Sequence, residues 1–282
     1  MGSPKRSVLI TGCSDGGMGS ELAIAFHKAG LKVYATARNP AKMAKLVSLE
    51  GIETLELDVL SEASIAACAK KVPSLDILVN NAGQANPAAV SDMSIAEAKA
   101  LYDINLWAPI AVIQGFLPLL LKSTSNPLIV NHTSVTSVAP IPFQAAYNSS
   151  KAALSMVTDT LRLELQPFGI QIVQLKTGAV KTNIGENAKK FVVPDGSIYE
   201  PAREALLSAR ETAFTGMGIP AEQWAREVAA DLLRKTPAPA LWRGGSATTG
   251  RVAALLPYGM FDNMLKKMTG LDRVEQIVRK LD

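Results

Sequence analysis

What most constrains this chain is an alternation that begins at its first apolar run and continues without a compositional break to residue 175. Short apolar runs at 7–11, 32–36, 54–58, 76–80, 128–133 and 171–175 read as buried strands. Between them, segments at 21–29, 40–49, 62–71, from about 95 onward and at 147–166 carry helical spacing. Strands separated by helices must be joined by crossovers, so they run parallel, and helices cover both faces of the sheet. The expected fold is a single α/β domain, a Rossmann-type doubly wound parallel sheet, assigned to residues 1–250. Within it, residues 178–220 read as a variable substrate loop because Gly178, Gly185, Pro194 and Gly196 interrupt any period. Helices at 202–213 and 220–234 and a last strand at 239–242 follow, and residues 251–282 form a C-terminal amphipathic helical extension.

Bulk properties narrow the function classes. Hydrophobic residues at 48% and charged residues at 19% suit a packed enzyme rather than a disordered chain. The net charge of +4 is spread along the sequence, which gives no reason to expect a nucleic-acid partner. Cys13 and Cys68 cannot build a disulfide framework, and nothing at the N-terminus resembles a signal peptide. A reducing, cytoplasmic setting is the expectation. The apolar stretch 107–121 is broken by Pro109, Gln114 and Pro118 and is too short for a bilayer, so it reads as a buried helix.

Between the first strand and first helix stands T-G-C-S-D-G-G-M-G, residues 11–19. Glycine lets backbone approach a pyrophosphate and turn tightly into a helix, whose free N–H groups and positive dipole end then face the phosphates. Gly12, Ser14, Asp15, Gly17, Met18 and Gly19 are the candidate contacts to a dinucleotide. The second strand ends in Arg38 with no carboxylate nearby, and an arginine fork matches a ribose phosphate, so NADP(H) is favoured over NAD. The plainer alternative for Arg38 is a solvated surface side chain. Asp58 and Val59 after the third strand, and Asn81, Ala82 and Gly83 after the fourth, could border the adenosine half. Asn80 could instead serve backbone groups of that turn.

The strongest chemical signal is Ser134, then, after twelve intervening residues, Tyr147, and after three more Lys151. Tyr147 and Lys151 are four apart on one helix and share a face. An ammonium ion beside a phenol favours phenolate and draws its pKa down toward the working range. A tyrosine so tuned can give a proton to a carbonyl oxygen while a hydride arrives at carbon, and Ser134 can hydrogen-bond the same oxygen.

Taken together, these residues resemble the short-chain dehydrogenase/reductase family from Thr11 to about Thr182. The resemblance implies an NADP(H)-dependent oxidoreductase acting on a small ketone or alcohol, with Asn105 holding a water in a proton relay to Lys151. It also implies that Lys151 and Tyr147 contact the cofactor, as do Gly178, Val180 and Thr182, and that the subunit forms a homodimer or homotetramer through its long helices. Two departures stand out. The glycine turn carries one residue more than the family pattern, which leaves Asp15 and Gly16 in a longer loop and Arg38 as the main basic contact. T-G-A-V-K-T at 177–182 has threonine where the family usually has proline, which would loosen the start of the substrate loop.

Further segments, S-I-Y-E (197–200), W-R-G-G (242–245) and L-P-Y-G-M-F-D-N-M-L (256–265), look like a fungal branch containing NADPH-dependent acyl-dihydroxyacetone-phosphate reductases. That branch implies reduction of a ketone on a lipid-like acylated, phosphorylated glycerol precursor. The alternatives are a ketoreductase on a polyketide or other secondary-metabolite scaffold and, from another class, a non-catalytic NADP-binding sensor. No metal is expected. In the extension, Met264, Leu265, Met268, Leu271, Val274, Ile277, Val278 and Leu281 recur at helical spacing, and basic residues outnumber acidic ones. It reads either as a cap on the substrate pocket or partner subunit, or as a basic helix lying on an anionic membrane such as the endoplasmic reticulum or a lipid droplet. His27 and His132 read as structural, Cys13 as a small tolerated side chain, and Trp107, Trp224 and Trp242 as packing.

Overall fold

The computed structural model describes residues 5–182, 189–213, 216–257 and 259–280. Its main sheet has seven strands: β1 (Ser7–Thr11), β2 (Lys32–Ala37), β3 (Ile52–Glu56), β4 (Ile77–Asn80), β5 (Leu128–Ser134), β6 (Gln171–Thr177) and β9 (Ala240–Arg243). They lie in the order β3-β2-β1-β4-β5-β6-β9, and every pairing is parallel. The chain reverses direction across the sheet between β1 and β4. That switch point leaves a crevice at the carboxyl ends of the strands, which is where such sheets bind ligands.

Each face has its own core. On one, α1 (Met18–Lys28) and α8 (Ala221–Leu232) bury Leu22, Phe26, Trp224 and Val228 against Val8, Ile10 and Val130. On the other, α3 (Glu62–Lys71), α5 (Ala108–Leu120) and α6 (Ala145–Leu165) bury Ile65, Phe116, Leu120 and Leu165 against Leu9, Leu78 and Ile129. Phe26, Phe116 and Trp224 are wholly excluded from water, each worth about 2–3 kcal/mol of apolar burial. The near-continuous apolar strands follow from having helices on both sides.

Several boundaries differ from the sequence expectation for local reasons. The segment 40–49 is not one helix: Asn39 caps a 3-10 turn with Pro40 at its first position, and only α2 (Ala44–Val47) is α-helical. β3 lies two residues earlier than its apolar run suggests, so Asp58 falls in the following turn and accepts from the Leu60 N–H. α6 starts at Ala145, placing Tyr147 within its first turn. The long helix from residue 95 is α4 (Ile95–Tyr102), a π-helical turn at Asp103–Trp107, then α5. By length and composition Ile95–Leu120 could cross a membrane, but half of its apolar window is buried inside the protein, as in a core helix.

Beyond β6, a second two-stranded sheet joins β7 (Val180–Lys181) to β8 (Ile219–Pro220). The substrate loop contains α7 (Arg203–Thr212). The C-terminal extension is three short helices rather than one: α9 (Ala247–Ala253), α10 (Asp262–Thr269) and α11 (Leu271–Val278). Gly270 separates the last two at φ +80°, a conformation that favours glycine. Val274 joins Phe143, Phe191, Val193 and Leu206 in a third apolar cluster, with Leu271 and Ile277 packed on it. Much of the apolar stripe available to a membrane is therefore turned against the substrate loop.

Candidate active site

The crevice is built from the glycine turn upward. Gly12 and Gly16 take positive φ, and Gly17 opens α1 without a side-chain cap, which leaves helix N–H groups directed at the crevice. A Cβ on Gly19 would fall 2.5 Å from the Gly12 carbonyl oxygen and from Asn81 Nδ2, so only glycine fits there. Thr11 Oγ1 accepts from the N–H groups of Asn81 and Ala82 at 3.0 and 2.9 Å. Asn81 Nδ2 returns to the carbonyls of Thr11 and Gly12 at 2.8 and 3.1 Å. Asn80 instead turns into the sheet and donates to Asn131.

The extra loop residue has a structural use. The Asp15 N–H donates to the Lys42 carbonyl at 2.8 Å, and its Oδ2 accepts from the Lys45 N–H at 3.3 Å. Asp15, expected as a cofactor contact, fastens the loop to α2 through its N–H and Oδ2, while its Oδ1 has no partner among the described residues. Met18 likewise packs its side chain on the core, leaving its backbone to the crevice. Arg38 is exposed at the end of β2, and no ion pair restrains it among the described residues. Val59, expected beside the cofactor, is buried.

At the chemical end, Ser134 closes β5, and Tyr147 and Lys151 rise on the first turns of α6. Lys151 is buried, and its Nζ donates to the His132 carbonyl at 2.9 Å while standing 5.8 Å from the Tyr147 ring centre. Loss of water pushes the ammonium down to about 8. The expected lowering of Tyr147 by Lys151 is corrected here. Burial raises the half-buried phenol, and the pull downward comes from a hydrogen bond with Ser134.

Asn105 sits in the π-helical turn, wholly buried. Its Nδ2 donates to the Gln84 carbonyl at 2.9 Å and to Ser150 Oγ at 3.1 Å, and its Oδ1 accepts from the Gln84 N–H at 2.9 Å. Ser150 Oγ in turn donates to the Tyr147 carbonyl at 2.8 Å. Asn105 therefore locks the strand-β4 loop to the catalytic helix. Gly83 lies between it and the lysine: a Cβ there would be 3.1 Å from Asn105 Oδ1 and 3.4 Å from Lys151 Nζ. π-turns inside helices are concentrated at functional sites, and the apolar period gave no sign of this one.

A cavity of about 400 Å³ opens beside Gln144, at the head of α6, and is walled by Val180, Lys181 and Thr182. Its floor is held by glycines. Gly178 has no room for a Cβ, which would fall 2.1 Å from the Gly245 carbonyl oxygen, and Ala179 and Gly245 exchange two backbone hydrogen bonds of 2.8 Å. The W-R-G-G segment thus pins the loop expected to touch the cofactor. Three side chains of the site escaped the sequence reading: Thr11, Ser150 and Gln144. His132, read as structural, joins Asn81, Thr177 and Lys151.

A family model described as short chain dehydrogenase matches residues 6–192. The short-chain dehydrogenase/reductase GME11361 of Pestalotiopsis microspora is 53% identical over 283 residues, covering 99% of both chains. The NADPH-dependent 1-acyldihydroxyacetone phosphate reductase of Schizosaccharomyces pombe is 35% identical over 287 residues, covering 95% of both chains. Among solved structures, a short-chain dehydrogenase from Streptomyces avermitilis superposes with a TM-score of 0.79 at 26% identity, covering 98% of both chains.

Proposed function

The chain belongs to the short-chain dehydrogenase family, and we propose that within it this protein reduces a ketone to a secondary alcohol with NADPH. The observation that carries the reading is the convergence of Ser134, Tyr147 and Lys151 at the carboxyl ends of β5 and α6's first turns, beside a cavity walled by Val180–Thr182. NADP(H) fits the crevice. The bare N-terminus of α1 and the Gly12–Gly19 cradle suit a pyrophosphate, and the exposed Arg38, unpaired among the described residues, suits a ribose phosphate. Bound there, NADPH supplies the hydride. The protein's own part is to hold a proton on Tyr147 Oη, aim it at the carbonyl oxygen and steady that oxygen with the Ser134 hydroxyl. The phenol, raised by burial, carries the proton at neutral pH that this direction requires. The charged Lys151 then favours the phenolate left after the proton has gone.

For the substrate we favour a lipid-like, phosphate-bearing ketone of the acyl-dihydroxyacetone-phosphate type. The Schizosaccharomyces pombe relative supports it, and so does Arg210. This guanidinium lies 4.8 Å from the Phe191 ring centre, and its Nη1 is buried without a hydrogen-bond partner among the described residues. An anionic head group would meet that cation. A polycyclic secondary-metabolite ketone is the second reading, favoured by the aromatic cluster in which Phe143 meets Phe191 tilted and Tyr199 edge-on. The test is NADPH oxidation with 1-acyl-dihydroxyacetone phosphate and with aromatic polyketide ketones, in wild type, Tyr147→Phe and Arg210→Gln. Tyr147→Phe should lose at least a hundredfold in turnover while NADPH binding persists, since general-acid catalysis is worth about 10²–10⁴-fold. Substantial activity in that variant removes the mechanism. Loss in Arg210→Gln confined to the phosphorylated ketone supports the first substrate; equal loss on both ketones removes it.

A further inference from the structure

His132, which the sequence reads as structural, has contacts that reach both ends of the crevice. It stands on β5, buried at 5% exposure, with its ring stacked on Trp224 at 5.4 Å between centres. Its Nδ1 is 3.0 Å from Asn81 Oδ1, and its Nε2 is 2.7 Å from Thr177 Oγ1. Its backbone carbonyl takes the Lys151 ammonium.

Donor accounting fixes the tautomer. Asn81 Nδ2 donates to two carbonyls, those of Thr11 and Gly12, so the amide oxygen faces the imidazole as an acceptor. Nδ1 must therefore carry the proton. Nε2 is then an acceptor, and the Thr177 hydroxyl donates to it. Every group in the line is satisfied with the ring neutral, and burial together with the nearby Lys151 ammonium opposes a second proton.

The ends of this line are the two ends of the crevice. Asn81 grips the glycine turn that faces the phosphates, and Thr177 leads directly into Gly178–Thr182, the wall of the cavity at the chemical end. The Thr177 carbonyl also lies 3.5 Å from Ser134 Oγ. Thr177 stands where the family pattern has proline. A hydroxyl fastened to an imidazole stands there in place of the ring that would have fixed the backbone.

We propose that His132 is a positioning residue which, as a neutral Nδ1–H tautomer bonded to Asn81 and Thr177, holds the phosphate-binding turn and the substrate-loop base in one fixed relation. The role of His132 bears on the crevice itself and its affinity for NADPH, and stands whether or not the favoured ketone is the substrate.

Imidazole ¹⁵N spectra of the full-length protein should show, for His132, a protonated Nδ1, an unprotonated Nε2 and no titration between about pH 5 and 9. NADPH binding, followed by its fluorescence, should weaken about tenfold in Thr177→Val, the worth of one buried hydrogen bond. Thr177→Ser should stay within about twofold of wild type, because the serine hydroxyl can make the same bond. In a His132→Phe background, Thr177→Val should cost less than about twofold, since the partner has gone. An Nε2–H tautomer, or equal losses for Thr177→Val with and without His132, would overturn the proposal. If His132→Phe does not fold, the valine and serine variants with the tautomer spectrum decide it alone: similar NADPH affinity in both variants overturns it.

Discussion

Lys151 Nζ donates to the His132 carbonyl at 2.9 Å rather than to the tyrosine four residues before it. The lysine's charge is therefore held on the β5 side of the crevice, 5.8 Å from the centre of the Tyr147 ring. Two consequences follow for the chemistry. The phenol keeps its proton more firmly than the Tyr–Lys spacing alone suggests, and the ammonium, short of water, gives up its own more readily.

That pair of shifts sets the pH dependence. Lys151 is charged below about 8 and neutral above it. Tyr147, raised, remains an acid over the same range. In ketone reduction the proton donor must be protonated and the lysine charged, so kcat/KM should be level near neutrality and fall as pH rises through about 8. Lys151→Arg, which stays charged, should move that limb upward by at least one unit in whatever activity it retains. A limb that does not move would assign the titration to another group.

Arg38 gives the cofactor test. Replacing it with aspartate puts a carboxylate where the ribose phosphate is expected and offers an acceptor to ribose hydroxyls instead. Arg38→Asp should weaken NADPH binding about 10- to 100-fold, the worth of a charge-assisted hydrogen bond, and improve NADH binding. Titration of both nucleotides by fluorescence measures it. Because Arg38 is exposed and unpaired among the described residues, thermal stability should hardly change.

How much of this was legible beforehand depends on the kind of signal. The parallel sheet, the glycine turn and the Ser134–Tyr147–Lys151 set follow from local period and fixed spacing, and each lies where the sequence puts it. The π-turn at Asp103–Trp107 and the Asn105–Gln84 clamp do not, because a buried asparagine is recognised only by what surrounds it. His132 is the structural residue the sequence suggests, but its partners could not be read from it: Asn81, Thr177 and Trp224 are 51, 45 and 92 residues away, and only the fold brings them together. Periodicity also could not divide the C-terminal stripe at Gly270 or say that it covers α7.

W-R-G-G offers a stability test away from the chemistry. A Cβ on Gly245 would fall 1.6 Å from the Met217 carbonyl oxygen, a backbone atom that cannot swing aside. Gly245→Ala should destabilise the protein by about 1–3 kcal/mol or more and displace the Ala179 backbone pair that supports the cavity wall. Gly196→Ala is a useful contrast, since nothing lies within 4 Å of its Cβ and its cost is only that of a positive φ, +77°. Denaturant melts of the two variants should separate crowding from backbone strain.

Acid stability provides the last test, and its sign is set by His132. The imidazole has an ordinary value of 6.5 and is pushed down to about 3 in the folded protein, chiefly by burial and then by Lys151. Between those values the unfolded chain takes up a proton that the folded chain refuses. The stabilising difference is complete above about 6.5 and is lost progressively as pH falls toward about 3, with a limiting slope of about 1.4 kcal/mol per pH unit. Urea melts across this window should show wild type losing stability faster than His132→Gln, whose amide can still donate to Asn81 and has no proton to gain. Parallel pH dependences for the two proteins would place the acid sensitivity in carboxylates elsewhere, and the neutral imidazole would lose its thermodynamic signature.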